Sequence, residues 1–174
     1  MTIKAILVSQ YEASLLMLKN AIVASDTEIW TRRVCKKAFW HVAYHTLFYT
    51  DFYLSKDENA FVPWVKHKKE YQFLGAVPWP PHNEPHIGEP YGQTDIIEYW
   101  GSIHDALEER IERTELDSPS GFYWLPFSKL ELQIYNIRHI QHHTGQLAER
   151  LRELRNLGVK WVSRGLKQGN LGTS

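Results

Sequence analysis

Asn136-Ile137-Arg138-His139-Ile140-Gln141-His142-His143-Thr144-Gly145-Gln146 lies inside the most strongly patterned stretch of this chain. Leu132, Ile140, Leu147, Leu151 and Leu154 recur around it at helical spacing, which predicts an α-helix. Ser128 and Glu131 have the capping-box form that opens a helix, and Gly158 is a natural C-terminal stop. The spacing therefore predicts a helix from Ser128 to about Leu157. Four residues apart on it, His139 and His143 stand one above the other. Imidazoles so placed can grip one metal ion. They share a line with Asn136, Gln146 and Arg150, and two readings of that line are open. A buried polar line is costly unless each group finds a partner, and a metal is such a partner for imidazole. Alternatively the line faces solvent and the leucines face the core.

An earlier stretch favours the metal reading. Phe39-Trp40-His41-Val42-Ala43-Tyr44-His45-Thr46-Leu47-Phe48-Tyr49 repeats the four-residue histidine spacing in the most apolar part of the chain. Surrounded by large apolar neighbours, His41 and His45 cannot both easily turn to water. One imidazole from this pair plus His139 and His143 would make a three-histidine site with open positions, the layout of a working metal rather than a structural one. Competing patterns fail: there is no Glu-x-x-His for a carboxylate-bridged di-iron bundle, no His-Glu-x-x-His and no cysteine pair.

Outward from these two segments the rest of the chain falls into place. Residues 3 to 24 read as a first helix, with Ile3, Leu7, Tyr11, Leu15, Leu18 and Ile22 as its buried stripe, and Ser25-Asp26-Thr27 as a break. A second helix is expected from about Thr31 to Leu54. Residues 56 to 93 hold six of the eight prolines, too many for a long helix or a central strand. Aromatics from Phe61 to Tyr91 are interleaved with them, which suggests a crossover connection able to wall a pocket. Thr94 looks like the cap of a third helix running to about Leu116, with Ile96, Trp100, Ile103, Leu107 and Ile111 inward. Four long helices and one long connection predict an all-α four-helix bundle, residues 1–158, followed by a basic tail, 159–174, in which Trp161 is a candidate anchor.

The remaining histidines read as bystanders. His82 and His86 flank Pro85 in the connection, so helical spacing does not apply to them. His104 is expected in the core or behind the ligands. His142, rotated ~100° from His143, is expected partly exposed. Cys35 is read as a buried, inert thiol despite Lys36 and Lys37 beside it.

Composition sets outer bounds. The 174 residues carry 20 Lys+Arg against 20 Asp+Glu, and no basic stripe argues for nucleic acid. No run approaches the ~18 apolar residues of a membrane span. One cysteine cannot form an internal disulfide, and Met1-Thr2-Ile3-Lys4 leads straight into an amphipathic pattern, so a cytoplasmic protein is expected.

Positions 139 to 151, His-Ile-Gln-His-His-Thr-Gly-Gln-Leu-Ala-Glu-Arg-Leu, resemble the closing helix of DinB-like proteins (the DinB/YfiT superfamily). The segment from Phe39 to Tyr49, followed by Asp51-Phe52-Tyr53-Leu54, resembles that superfamily's second-helix signature. The resemblance covers essentially the whole chain in order and spacing. It implies a four-helix bundle with its long connection between the second and third helices. It implies one divalent ion held by His45, His139 and His143, whereas His41 stands where the family tolerates other residues; imidazole ligands suit nickel, zinc and iron alike. The family includes bacterial thiol transferases that use bacillithiol or mycothiol, and homodimers are common in it. A small-molecule substrate is what the resemblance implies here, with a low-molecular-weight thiol or a water as the nucleophile that the metal activates; the alternative reading is a dimeric bundle that binds metal or ligand without catalysis. Gln146, one turn beyond His143, is placed to orient a ligand or a water.

Overall fold

The computed structural model describes residues 2–165, and over them the chain is predominantly helical. The first helix, α1 (Ile3–Ala24), is capped by Thr2, whose hydroxyl accepts from the Ala5 amide at 3.2 Å. Leu7, Tyr11, Leu15, Leu18 and Ile22 are buried as the periodicity predicts, whereas Ile3 is 54% exposed. Ala5 and Ile6 are exposed with it, so the first turn is solvated although Lys4 reaches the Glu112 carbonyl at the end of the third long helix.

The second predicted helix begins later than expected. Residues 27 to 38 form a short helix, α2 (Thr27–Thr31), and a two-stranded hairpin, β1 (Arg33–Val34) with β2 (Lys37–Ala38). Asp26 ends the predicted break as a cap, its carboxylate accepting from the Ile29 amide at 2.8 Å. The hairpin register pairs Arg33 with Ala38 and Val34 with Lys37. Its two turn residues, Cys35 and Lys36, have φ of 49° and 67°. Two successive positive φ values suit a tight hairpin and exclude helix. Cys35 is thus exposed at a turn tip, not buried; its polar neighbours in sequence are solvated with it. Only at Phe39 does the long helix α3 (Phe39–Tyr53) start.

Residues 54–92 contain no helix or strand. Helix α4 (Gln93–Glu112) follows, capped at Gly92 rather than Thr94. Asp95 reaches back to the Gly92 amide at 3.2 Å, the reciprocal half of a capping box, and so satisfies the donor at the helix entry. All five predicted inward residues of this helix are buried. It ends four residues before Leu116. The last helix, α5 (Lys129–Arg155), opens on Ser128, whose hydroxyl accepts from the Glu131 amide at 3.2 Å. It stops at Asn156, which takes the left-handed conformation with φ 54°, one of the few non-glycine residues that does so cheaply. Gly158 lies beyond the stop. Trp161 is 71% exposed and anchors nothing among the described residues. The tail beyond Gly165 lies outside the described residues.

Helix α1 packs against α4 and α5, and α3 packs against the same two. A single apolar cluster runs through all four, from Leu7 and Tyr11 to Leu147 and Leu151. Aromatic residues of the 54–92 segment join it: Tyr71 and Tyr91 are buried against Trp40 and Tyr44, and Trp64 stacks on Tyr99 at 4.7 Å. The proline-rich segment is therefore held by its own rings in the core, which fixes where its main chain crosses α3. No helix among the described residues is long and apolar enough to cross a membrane.

Candidate metal centre

The packing of α3 on α5 brings His45, His139 and His143 together. One ring nitrogen from each lies within 4.8 Å of the other two. The ring centroids are 4.6 to 5.1 Å apart. Nε2 of His45 faces Nε2 of His139 at 3.2 Å. Two nitrogens on one tetrahedral ion at about 2.0–2.1 Å stand roughly 3.3 Å apart, so this pair already has the separation such an ion needs.

The neighbours of the cluster decide where the protons sit. Nδ1 of His45 lies 2.6 Å from the main-chain oxygen of Gln72. A carbonyl only accepts, so Nδ1 carries the hydrogen and Nε2 keeps its lone pair. Nδ1 of His143 donates to Oε1 of Gln146 at 2.9 Å, which frees its Nε2 in the same way. The Gln146 amide nitrogen donates onward to Nε2 of His142 at 3.1 Å. Hydrogen-bonding the distal ring nitrogen is how metal-ligating histidines are oriented and made more basic. Nδ1 of His139 is buried and has no partner.

All three rings are held neutral. Burial, reinforced by the other two histidines, pushes His45 well below the ordinary histidine value. Burial and the His143 ring lower His139 to about 3, and burial lowers His143 against the opposing Gln146 bond. Neutral imidazole is the form that binds metal. The donor set, the tautomers and the spacing together fit a divalent ion, and this group of three can hold one.

The structure separates the two histidines of α3. His41 is buried and donates from Nε2 to the Tyr71 main-chain oxygen at 2.8 Å, with its ring stacked on Trp40. It fastens the 54–92 segment to α3 one turn before His45. Burial drops its pKa to about 4. The other line members are partnered in part, since the buried Oδ1 of Asn136 meets no donor. Asn136 donates to the Thr50 carbonyl at 3.0 Å. Arg150 reaches the carbonyls of Lys37 and Val34 and pins the hairpin to α5. His142 and Gln146 are exposed, at the mouth of the cluster. His104 stacks on Trp100 at 4.6 Å and takes no place in the group. His82 turns to the Val77 carbonyl, and His86 is exposed.

Two contacts were missed by sequence reasoning. The Gln72 carbonyl belongs to the main chain and has no side-chain signal. The Tyr49 ring packs against both His45, at 4.8 Å, and His139, at 5.8 Å. Its i, i+4 spacing from His45 was a usable signal. No protein-family model, curated protein or solved structure matches this chain.

Proposed function

We propose that this protein is a DinB-like, metal-dependent enzyme built on a four-helix bundle with its crossover connection between α3 and α4. The observation that carries the reading is the three-histidine group, in which two Nδ1 hydrogens are tied to oxygen acceptors and the freed lone pairs converge. His45, His139 and His143 hold one divalent ion of the nickel, zinc or iron type, since imidazole suits each. Three neutral ligands leave positions open, and the ion supplies the Lewis acidity that makes a nucleophile of water or a thiol at neutral pH.

The chain's own residues do the rest. Gln72 and Gln146 fix the ring orientations of His45 and His143. Tyr49 covers the apolar side of His45 and His139. Gln146, exposed beside His143, offers its amide to a ligand entering at the mouth. The reaction class that suits this set is transfer of a small thiol to an electrophile. Homodimerisation is the assembly we propose with it.

The test has two arms. Metal analysis of the purified chain should give one ion per chain, and His139→Ala and His143→Ala should lose most of it. Thiol consumption should then be followed with a panel of electrophiles. Metal-loaded protein should outpace both chelated protein and His143→Ala. Stoichiometric metal in both alanine variants removes the ligand assignment. Equal thiol consumption in all three samples removes the activity and leaves a metal-binding bundle.

A further inference from the structure

Lys129 is the first residue of α5, and it is only 5% exposed. Its Nζ donates to the Ser55 carbonyl at 2.9 Å and lies 5.2 Å from the Phe122 ring centroid. No carboxylate oxygen lies within 4.0 Å of it among the described residues. An ammonium has three hydrogens to donate, so a buried cation here has one acceptor and no carboxylate in direct contact, with Asp57 the nearby negative charge. That is an expensive arrangement for a lysine. Burial lowers its pKa to about 8, with Asp57 opposing the shift.

Lys129 lines a cleft of about 770 Å³, within the range of small-molecule sites. Lys56 adds positive charge to it, Arg113 is already paired with Glu109, and Leu54, Phe61 and Val62 give it apolar wall. Two of its three carboxylates are already engaged. Asp51 is bound by Arg110 at 2.5 Å and by the Tyr99 hydroxyl at 2.8 Å. Asp57 accepts from the amides of Asn59 and Ala60 at 3.0 and 2.9 Å. Glu115, the third, is exposed. The buried ammonium thus has one oxygen acceptor, the Ser55 carbonyl, and no carboxylate in direct contact, inside a cleft that has both a cationic and an apolar lining.

We infer that this cleft binds a small amphipathic organic anion, a carboxylate with an apolar tail. The carboxylate pairs with the Lys129 ammonium and the tail lies along Leu54, Phe61 and Val62. Lys129 stands ten residues before His139 on α5, about 15 Å along the helix. Tyr53, Phe122 and Leu132 form a separate apolar cluster near it. The site is therefore independent of the three-histidine group.

Octanoate, 1-octanol and octylamine are titrated into the full chain below micelle-forming concentrations, with amide shifts as the readout. Octanoate should saturate a site whose shifts centre on residues 55–57, 113, 121 and 129. Octanol and octylamine should bind at least tenfold more weakly. Lys129→Met keeps the stem and removes the charge, and should lose octanoate affinity tenfold or more, whereas His139→Ala should keep it. In the wild-type chain, octanoate and not octanol should protect Lys129 from reductive methylation, which reads the site without any variant. Octanol binding as tightly as octanoate overturns the inference. So does undiminished octanoate binding by folded Lys129→Met, and so does equal protection by octanoate and octanol or by neither.

Discussion

At the scale of single residues, the site depends on which ring nitrogen carries a proton. Gln146 holds the hydrogen of His143 on Nδ1. Gln146→Ala should therefore weaken divalent-metal binding by roughly 10- to 100-fold, and His143→Ala should weaken it further. Competition with a chromophoric chelator checks both, and unchanged affinity in Gln146→Ala would show that the amide orients nothing. His41 makes a separate prediction. Its folded pKa, about 4, is depressed below the ordinary value of 6.5. Between these values the unfolded chain binds the proton that the fold refuses, so stability rises with pH. The contribution is complete above about pH 6.5 and is lost as pH falls toward 4. Metal-free His41→Gln keeps a donor for Tyr71 and lacks the titration. From pH 7 to pH 5 it should lose less stability than wild type, by on the order of 1 kcal/mol. Urea midpoints at the two pH values decide this; identical losses would mean that His41 is not buried neutral.

Elements differ in how plainly the sequence announces them. Helices α1, α4 and α5 were legible because a full apolar stripe repeats along each. Their ends were less so, because Gly92 and Asn156 act through backbone conformation and not through a hydroxyl. Residues 31–38, read from the sequence as the start of the second helix, form the end of α2 and the hairpin instead. The apolar run from Phe39 onward is strongly helical, and nothing in the side chains of Cys35 and Lys36 advertises the positive φ that interrupts the chain before it. That strain gives a prediction. Lys36→Gly removes the cost of a side chain at φ 67° and should stabilise the protein by roughly 0.5–1 kcal/mol. A urea midpoint that falls instead would mean that the Lys36 side chain contributes more than its turn conformation costs. Cys35, at the same tip, should react fully with a thiol reagent in native buffer.

Across the whole molecule, the three histidines join α3 to α5, two elements remote in sequence. A ligand that binds only the assembled group stabilises the fold by mass action, about 2.7 kcal/mol at a hundredfold excess over its dissociation constant. Added zinc or nickel should raise the urea midpoint of wild type and leave that of His139→Ala unmoved. An equal rise in both would place the binding elsewhere. The sequence made the candidate ligands legible through two i, i+4 pairs, yet it could not rank His41 against His45 by periodicity, since both face inward. What distinguishes them is which carbonyl of a distant segment each meets. That is decided by the docking of Tyr71 and Tyr91, a tertiary fact with no local trace.

The contact from the Gln72 oxygen to His45 has a consequence for anyone mapping this protein by mutation. Because the acceptor is an amide oxygen, every amino acid at position 72 supplies it. A saturation library at that codon reports on the Gln72 side chain, whose Oε1 is buried without a partner, and is blind to this contact. What the contact does register is chain length. Deleting one residue between Lys68 and Gln72 carries a different carbonyl past the imidazole and unlocks its tautomer, so the information resides in the spacing of the segment and not in its lettering.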